Sequence, residues 1–128
     1  MPALCVTAGA PCPEHTLRDM KRVMGAEAAV VMYGMTEAGP GISSTSMDDS
    51  LETAVSTVGR LWPGVTGRIQ DLTTGRVLGP GQAGELCIKS YGVMKGYYNN
   101  PEETEKAVDR GGLASHRGIL PLCQRTGF

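Results

Sequence analysis

The stretch ALCVTAGAPCPEHTLRDMKRVMGAEAAVVM, residues 3–32, reads as strand, helix and strand in succession. Residues 3–8 are a short apolar run rich in Leu and Val, ended by Gly9 and by Pro11 and Pro13, as a buried strand would be. Pro13 suits a first helical position. Leu17, Met20, Val23 and Met24 then recur at helical spacing, and Gly25 can close the helix in the left-handed conformation. Residues 28–32 are a second buried strand. Two strands joined by a crossover helix make a parallel unit, and ligands of open parallel sheets bind beyond the carboxyl ends of the strands. The segments predicted to open there are 9–13 and 33–41.

From residue 59 the pattern changes to short strands with tight turns. Strands are predicted at 67–72, 76–78 and 85–90, separated by a Thr73-Thr74-Gly75 turn and a Pro80-Gly81 turn. A last helix is predicted over 101–109, with Asn100 as N-cap, Pro101 at the first position, and Glu102 and Glu103 at the positive end of its dipole. The polar stretch 43–57 marks a boundary. The expected class is α/β: the end of a parallel βαβ subdomain over 1–50, an antiparallel, barrel-like β subdomain with its terminal helix over 51–111, and a tail over 112–128.

Twelve basic residues against thirteen acidic ones, a formal charge of −1, offer no attraction for nucleic acid or an anionic membrane. No run approaches the roughly 20 apolar residues that cross a bilayer, and the first residues lack the basic-then-apolar pattern of a signal peptide. An intracellular chain is expected, with cytoplasm, mitochondrion and peroxisome not distinguished. Cys5, Cys12, Cys87 and Cys123 are far apart, with no Cys-x-x-Cys spacing for zinc or a redox couple, and read as reduced thiols.

The segment YGMTEAGP, residues 33–40, follows the second strand and places an aromatic face, a glycine, a hydroxyl and a carboxylate within five residues. Tyr33 can stack on a base, Gly34 permits close backbone approach, Thr36 can donate to a phosphate oxygen, and Glu37 offers a hard oxygen ligand to Mg²⁺. The same residues read equally well as a solvated Thr-Glu turn after a core strand. A second segment, GELCIKSYGVMKGYYNNPEET at 84–104, is joined in the same order by TAGAP at 7–11 and VGRLWPG at 58–64.

Together these four motifs closely resemble the adenylate-forming superfamily, which includes acyl-CoA synthetases, 4-coumarate ligases and beetle luciferases. The wording of 84–98 is most similar to medium-chain fatty acyl-CoA synthetases. The resemblance covers residues 2–112. It implies that Gly9, Ala10 and Pro11 shape an adenine pocket, that Tyr33 stacks beside the base, and that Gly34 and Met35 line the acyl pocket and the nucleotide wall. Thr36 would hold the adenylate phosphate and Glu37 the Mg²⁺ that screens ATP. The implied reaction joins a carboxylic acid to AMP and then transfers the acyl group to coenzyme A. In that resemblance the 84–104 segment is architecture rather than catalysis.

The family's Ser/Thr/Gly-rich phosphate loop and its lid lysine have no counterpart in these 128 residues. After Asp109 the family continues Gly-Trp-Leu-His-Thr-Gly-Asp, where this chain has RGGLASHRGILPLCQRTGF. Coding Leu113 to Arg117 as CTG GCT TCA CAC AGG and reading one base later yields Trp-Leu-His-Thr, so the tail is expected to be a frame-shifted, non-native sequence. No ribose-binding Asp is assigned. The expectation is a ligase fragment that is inactive alone. The alternative is a non-catalytic remnant that folds poorly, binds adenine nucleotide weakly or serves as an interaction module.

Overall fold

The computed structural model describes residues 4–109 and 111–120. The chain is mixed α/β, with the order β1 (Leu4–Thr7), α1 (Glu14–Met24), β2 (Ala28–Met35), β3 (Gly39–Ser44), α2 (Leu51–Ser56), β4 (Arg60–Leu61), β5 (Thr66–Gln70), β6 (Gly84–Lys89), α3 (Pro101–Ala107) and β7 (Ala114–Leu120). One sheet has the order β1-β2-β3-β4 and the other β5-β6-β7.

The predicted parallel unit is present, with Leu4 to Thr7 paired in register with Ala28 to Val31. All four of those β2 residues are buried, as an inner strand covered on both faces requires. Helix α1 presents Leu17, fully buried, to a cluster of Cys5, Ala26, Ala29, Val31 and Ala54. Burying such a Leu contributes about 2 kcal/mol. Gly25 takes the left-handed conformation at φ 67°, and Ala26 N–H closes back onto the Met20 carbonyl. Pro13 is the N-cap, one position earlier than its expected place.

Strand β2 does not stop at Met32. It runs on to Met35 and changes partner, pairing antiparallel with β3 through Met32–Ser44, Tyr33–Ser43 and Met35–Gly39. The expected open segment 33–41 is therefore a β-hairpin whose turn is Thr36, Glu37 and Ala38. The changeover is held by Thr45, whose hydroxyl accepts from Val31 N–H at 2.9 Å while its own N–H donates to the Val31 carbonyl at 2.9 Å. Strand β2 thus carries the chain from the first cluster to a second one of Met35, Ala38, Ile42, Val65, Leu86, Ile88 and Ala114.

The polar stretch 43–57 is structured. It holds the end of β3 and helix α2, whose N-cap Ser50 accepts from Thr53 N–H at 3.1 Å. Ala54 buries in the α1 cluster, and Leu51 and Val55 pack against it. The second sheet is antiparallel, but residues 76–78 form only a single bridge, Val77 to Gln70, rather than a strand. Asp71 closes that turn by accepting from the Thr74 N–H, the Thr74 hydroxyl and the Thr73 N–H, which holds its carboxyl below the usual carboxylate range. Among the described residues this sheet is open and three-stranded, without a closed barrel. Strand β7 pairs with β6 and fully buries Ala114. Residues 121–128 of the tail, Cys123 among them, lie outside the described residues.

Candidate functional site

Thr36 and Glu37 occupy the tip of the β2–β3 hairpin, beyond the point where β2 leaves its parallel partner. Gly34 is dictated by the hairpin itself: a Cβ there would lie 2.1 Å from the Pro40 carbonyl oxygen. The close approach that Gly34 permits is thus first of all to its own chain.

The loop after β6 clamps the tip. Ser90 Oγ donates to the Ala38 carbonyl at 2.9 Å, Met94 N–H donates to the Glu37 carbonyl at 2.9 Å, and Gly92 packs against Gly39. Tyr97 then reaches back, its hydroxyl donating to Glu37 Oε1. Tyr97 is itself fixed to α3, because its N–H donates to Thr104 Oγ1 at 2.9 Å and Thr104 Oγ1 donates to the Asn100 carbonyl at 2.8 Å. Asn100 caps α3 from its side chain, accepting from Glu103 N–H at 3.2 Å, as expected.

Between the hairpin tip and α3 lies a cleft of about 440 Å³, lined by Met35, Thr36, Glu37, Tyr97, Glu103, Lys106, Ala107 and Ser115. Such a volume falls within the roughly 300–1,000 Å³ of small-molecule sites. Thr36 is exposed at the rim and Glu37 is half-buried. Lys106 Nζ lies 2.9 Å from Glu102 Oε1 and 2.7 Å from Glu103 Oε1 on the far wall. The cleft therefore sets the Thr36 hydroxyl and the Glu37 carboxylate, both hard oxygen donors, opposite a Lys106 that Glu102 and Glu103 already hold.

The other sequence-derived residues are distributed differently. Met35 is buried in the second core and also borders the cleft. Tyr33 packs against the same core. Burial, with the Glu37 charge as the lesser cause, pushes its hydroxyl up to about 12. Gly9, Ala10 and Pro11 are exposed and do not line the cleft. The parallel register that pairs Thr7 with Val31 nevertheless puts them at the same end of the sheet as Tyr33. Trp62 is a packing residue, its ring against Gly41 and its Nε1 donating to Ser44 Oγ at 3.0 Å. His15 is exposed in the first turn of α1.

Sequence reasoning missed Tyr97, Glu103, Lys106 and Ser115. A signal existed for the first, since Tyr97 belongs to the second motif. Nothing in the sequence distinguishes it from Tyr91 and Tyr98, however, which are 81% and 94% exposed.

The sequence profile of the family described as AMP-binding enzyme matches residues 2–98. The putative acyl-CoA synthetase YngI of Bacillus subtilis is 37% identical over 123 residues, 96% of this chain and 22% of that protein. The mitochondrial medium-chain acyl-CoA ligase ACSF2 of Homo sapiens is 36% identical over 105 residues, 82% of this chain and 17% of that protein. The structure of ATP-bound MatB from Rhodopseudomonas palustris superposes with a TM-score of 0.71 at 32% identity, over 87% of this chain and 21% of that one. The chain thus spans about a fifth of the length of the relatives it matches. Among the described residues, no helix is long and apolar enough to cross a membrane.

Proposed function

Because the chain belongs to the AMP-binding enzyme family, we propose that it is the nucleotide-handling portion of an acid–thiol ligase. In the first half-reaction a carboxylate oxygen attacks the α-phosphorus of ATP, forming acyl-AMP and releasing pyrophosphate. In the second, the sulfur of coenzyme A attacks the acyl carbon, forming the thioester and releasing AMP. A medium-chain fatty acid is the substrate class favoured by the name of the ACSF2 relative.

The observation that carries this reading is the placement of Thr36 and Glu37 at a hairpin tip that opens on the cleft. Thr36 donates to the adenylate phosphate, Gly9, Ala10, Pro11 and Tyr33 form the adenine side, and Gly34 and Met35 stand between nucleotide and acyl chain. Glu37 with the Thr36 hydroxyl is a hard-oxygen donor set. It suits Mg²⁺, which is commonly bound through one or two carboxylates plus substrate phosphates rather than in an all-protein cage. When bound, the ion would neutralise phosphate charge as it builds up. The division at residue 50, the completion of the second sheet into a barrel-like subdomain and the frame-shifted origin of residues 112–128 belong to the same proposal. So does the inactivity of the chain by itself.

The test is carboxylate-dependent exchange of pyrophosphate into ATP by a full-length ligase that includes this sequence, with Glu37→Gln beside it. The substitution is expected to weaken adenylation and to spare thiol transfer from supplied acyl-AMP. No exchange with any of a panel of fatty and aromatic acids would sink the assignment, and equal loss in both half-reactions would make Glu37 structural.

A second reading, an interaction module, has one observation in its favour. The edge strand β1 leaves Leu4 and Val6 43% and 49% exposed beside an unpaired backbone edge among the described residues. Sedimentation separates the two readings, since a monomer at micromolar concentration removes the support for the module.

A further inference from the structure

We infer that Tyr97 is a positioning residue for the Glu37 carboxylate, and that the second motif takes part in cation binding through it. The inference rests on the reading of Glu37 as a cation ligand. A Glu side chain at a turn has several rotatable bonds, and ordering it opposes ligation. Here both parts of Glu37 are held by the same loop: the main-chain carbonyl by Met94 N–H at 2.9 Å and Oε1 by the Tyr97 hydroxyl. The loop is anchored in turn, because Tyr97 N–H is bound to Thr104 of α3. A carboxylate has two oxygens and about four acceptor sites, and the Tyr97 hydroxyl takes one of these sites while fixing the orientation of the group. The tyrosine also places the carboxylate on the cleft that Lys106 borders, rather than letting it turn to solvent.

The experiment uses the 128-residue chain and Mn²⁺ alone, with free Mn²⁺ counted by electron paramagnetic resonance and a thermal melt of every variant. Tyr97→Phe, which removes one oxygen, is expected to weaken Mn²⁺ binding about ten-fold, the low end for a hydrogen bond to a charged group. Glu37→Gln is expected to weaken it at least as much, and the double variant no further than Glu37→Gln. A merely structural hydroxyl would instead lower the melt and weaken binding further in the Glu37→Gln background, which would overturn the inference. Loss of binding in Glu37→Gln with none in Tyr97→Phe, or tighter binding in Tyr97→Phe, overturns the inference and leaves the ligand reading standing. Binding indifferent to Glu37→Gln, or absent from the unsubstituted chain, overturns both. Should Tyr97→Phe fail to fold, Tb³⁺ replaces Mn²⁺ on the Tyr33→Phe chain, so that the other tyrosine close to Glu37 does not contribute. Tyrosine-sensitised emission that Mn²⁺ competes away supports the inference, and bound Tb³⁺ without such emission overturns it.

Discussion

Gly34 lies so close to Pro40 that a Cβ added to it would meet the proline carbonyl oxygen at 2.1 Å. The contact is backbone on both sides, so no side-chain rotation relieves it. Gly34→Ala is therefore expected to destabilise the chain by at least about 3 kcal/mol, the upper end of overpacking. Gly75→Ala, at φ 68° with nothing within 4 Å of its Cβ, should cost only the left-handed backbone term, about 1 kcal/mol. Urea denaturation of the two variants checks the order, and a Gly34→Ala chain as stable as Gly75→Ala would contradict this account of the hairpin.

The thiols should separate by burial. Cys87 is buried beside Ser115, and burial is the largest cause raising its thiol above the usual range, whereas Cys12 is half-exposed at the start of α1. Since the thiolate is the reactive form, iodoacetamide at neutral pH should modify Cys12 well before Cys5 or Cys87, with the order lost in denaturant. Peptide mass mapping reads each site separately.

Local signals made the first third of the fold legible. The spacing of Leu17 and Met20 located α1, Gly25 marked its end, and the apolar runs around it foretold the parallel pair. What escaped notice depends on distant partners. Strand β2 extends through Tyr33 to Met35 only because residues 39–44 pair with it, and α2 has six residues, too few to display a period, with Ala54 placed by contact with the Leu17 cluster. At the site, Thr36 and Glu37 were readable as a hydroxyl and a carboxylate just past a strand. The opposite wall was not, because Tyr97 lies 60 positions away in sequence and meets Glu37 only through the fold.

Tyr33 gives an alkaline signature. Its hydroxyl is pushed from 10.0 to about 12, chiefly by burial. Between those values the unfolded chain releases this proton while the folded chain retains it. The contribution to stability is therefore complete below about 10 and is lost as pH rises toward 12. Absorbance titration of tyrosinate should contain a late component near 12 that is missing from Tyr33→Phe. If Tyr33→Phe instead removes amplitude near 10 and leaves the late region unchanged, the ring is not packed as described.

The last prediction concerns the 128-residue chain without additional segments: it should bind ATP weakly and show no acyl-AMP formation. Adenylation requires positioned cations around the reacting phosphate, each lowering the barrier by several kcal/mol. The phosphate loop and lid lysine that the family resemblance implies have no counterpart in these 128 residues. Among the described cleft residues the cation is Lys106, and Glu102 and Glu103 already hold it within 2.9 Å. On the roles proposed for them, Thr36 and Glu37 would still orient a phosphate and its metal ion. With most polar contacts absent and the ligand still to be ordered, the ATP dissociation constant should be on the order of millimolar. Calorimetric titration with ATP and Mg²⁺, run beside a pyrophosphate-release assay with fatty acids, measures both quantities. Micromolar ATP binding would mean that the cleft supplies contacts beyond Thr36, Glu37 and Lys106. Measurable pyrophosphate release would mean that the cleft by itself stabilises the transition state, overturning the division between binding groups that are present and catalytic groups that are not.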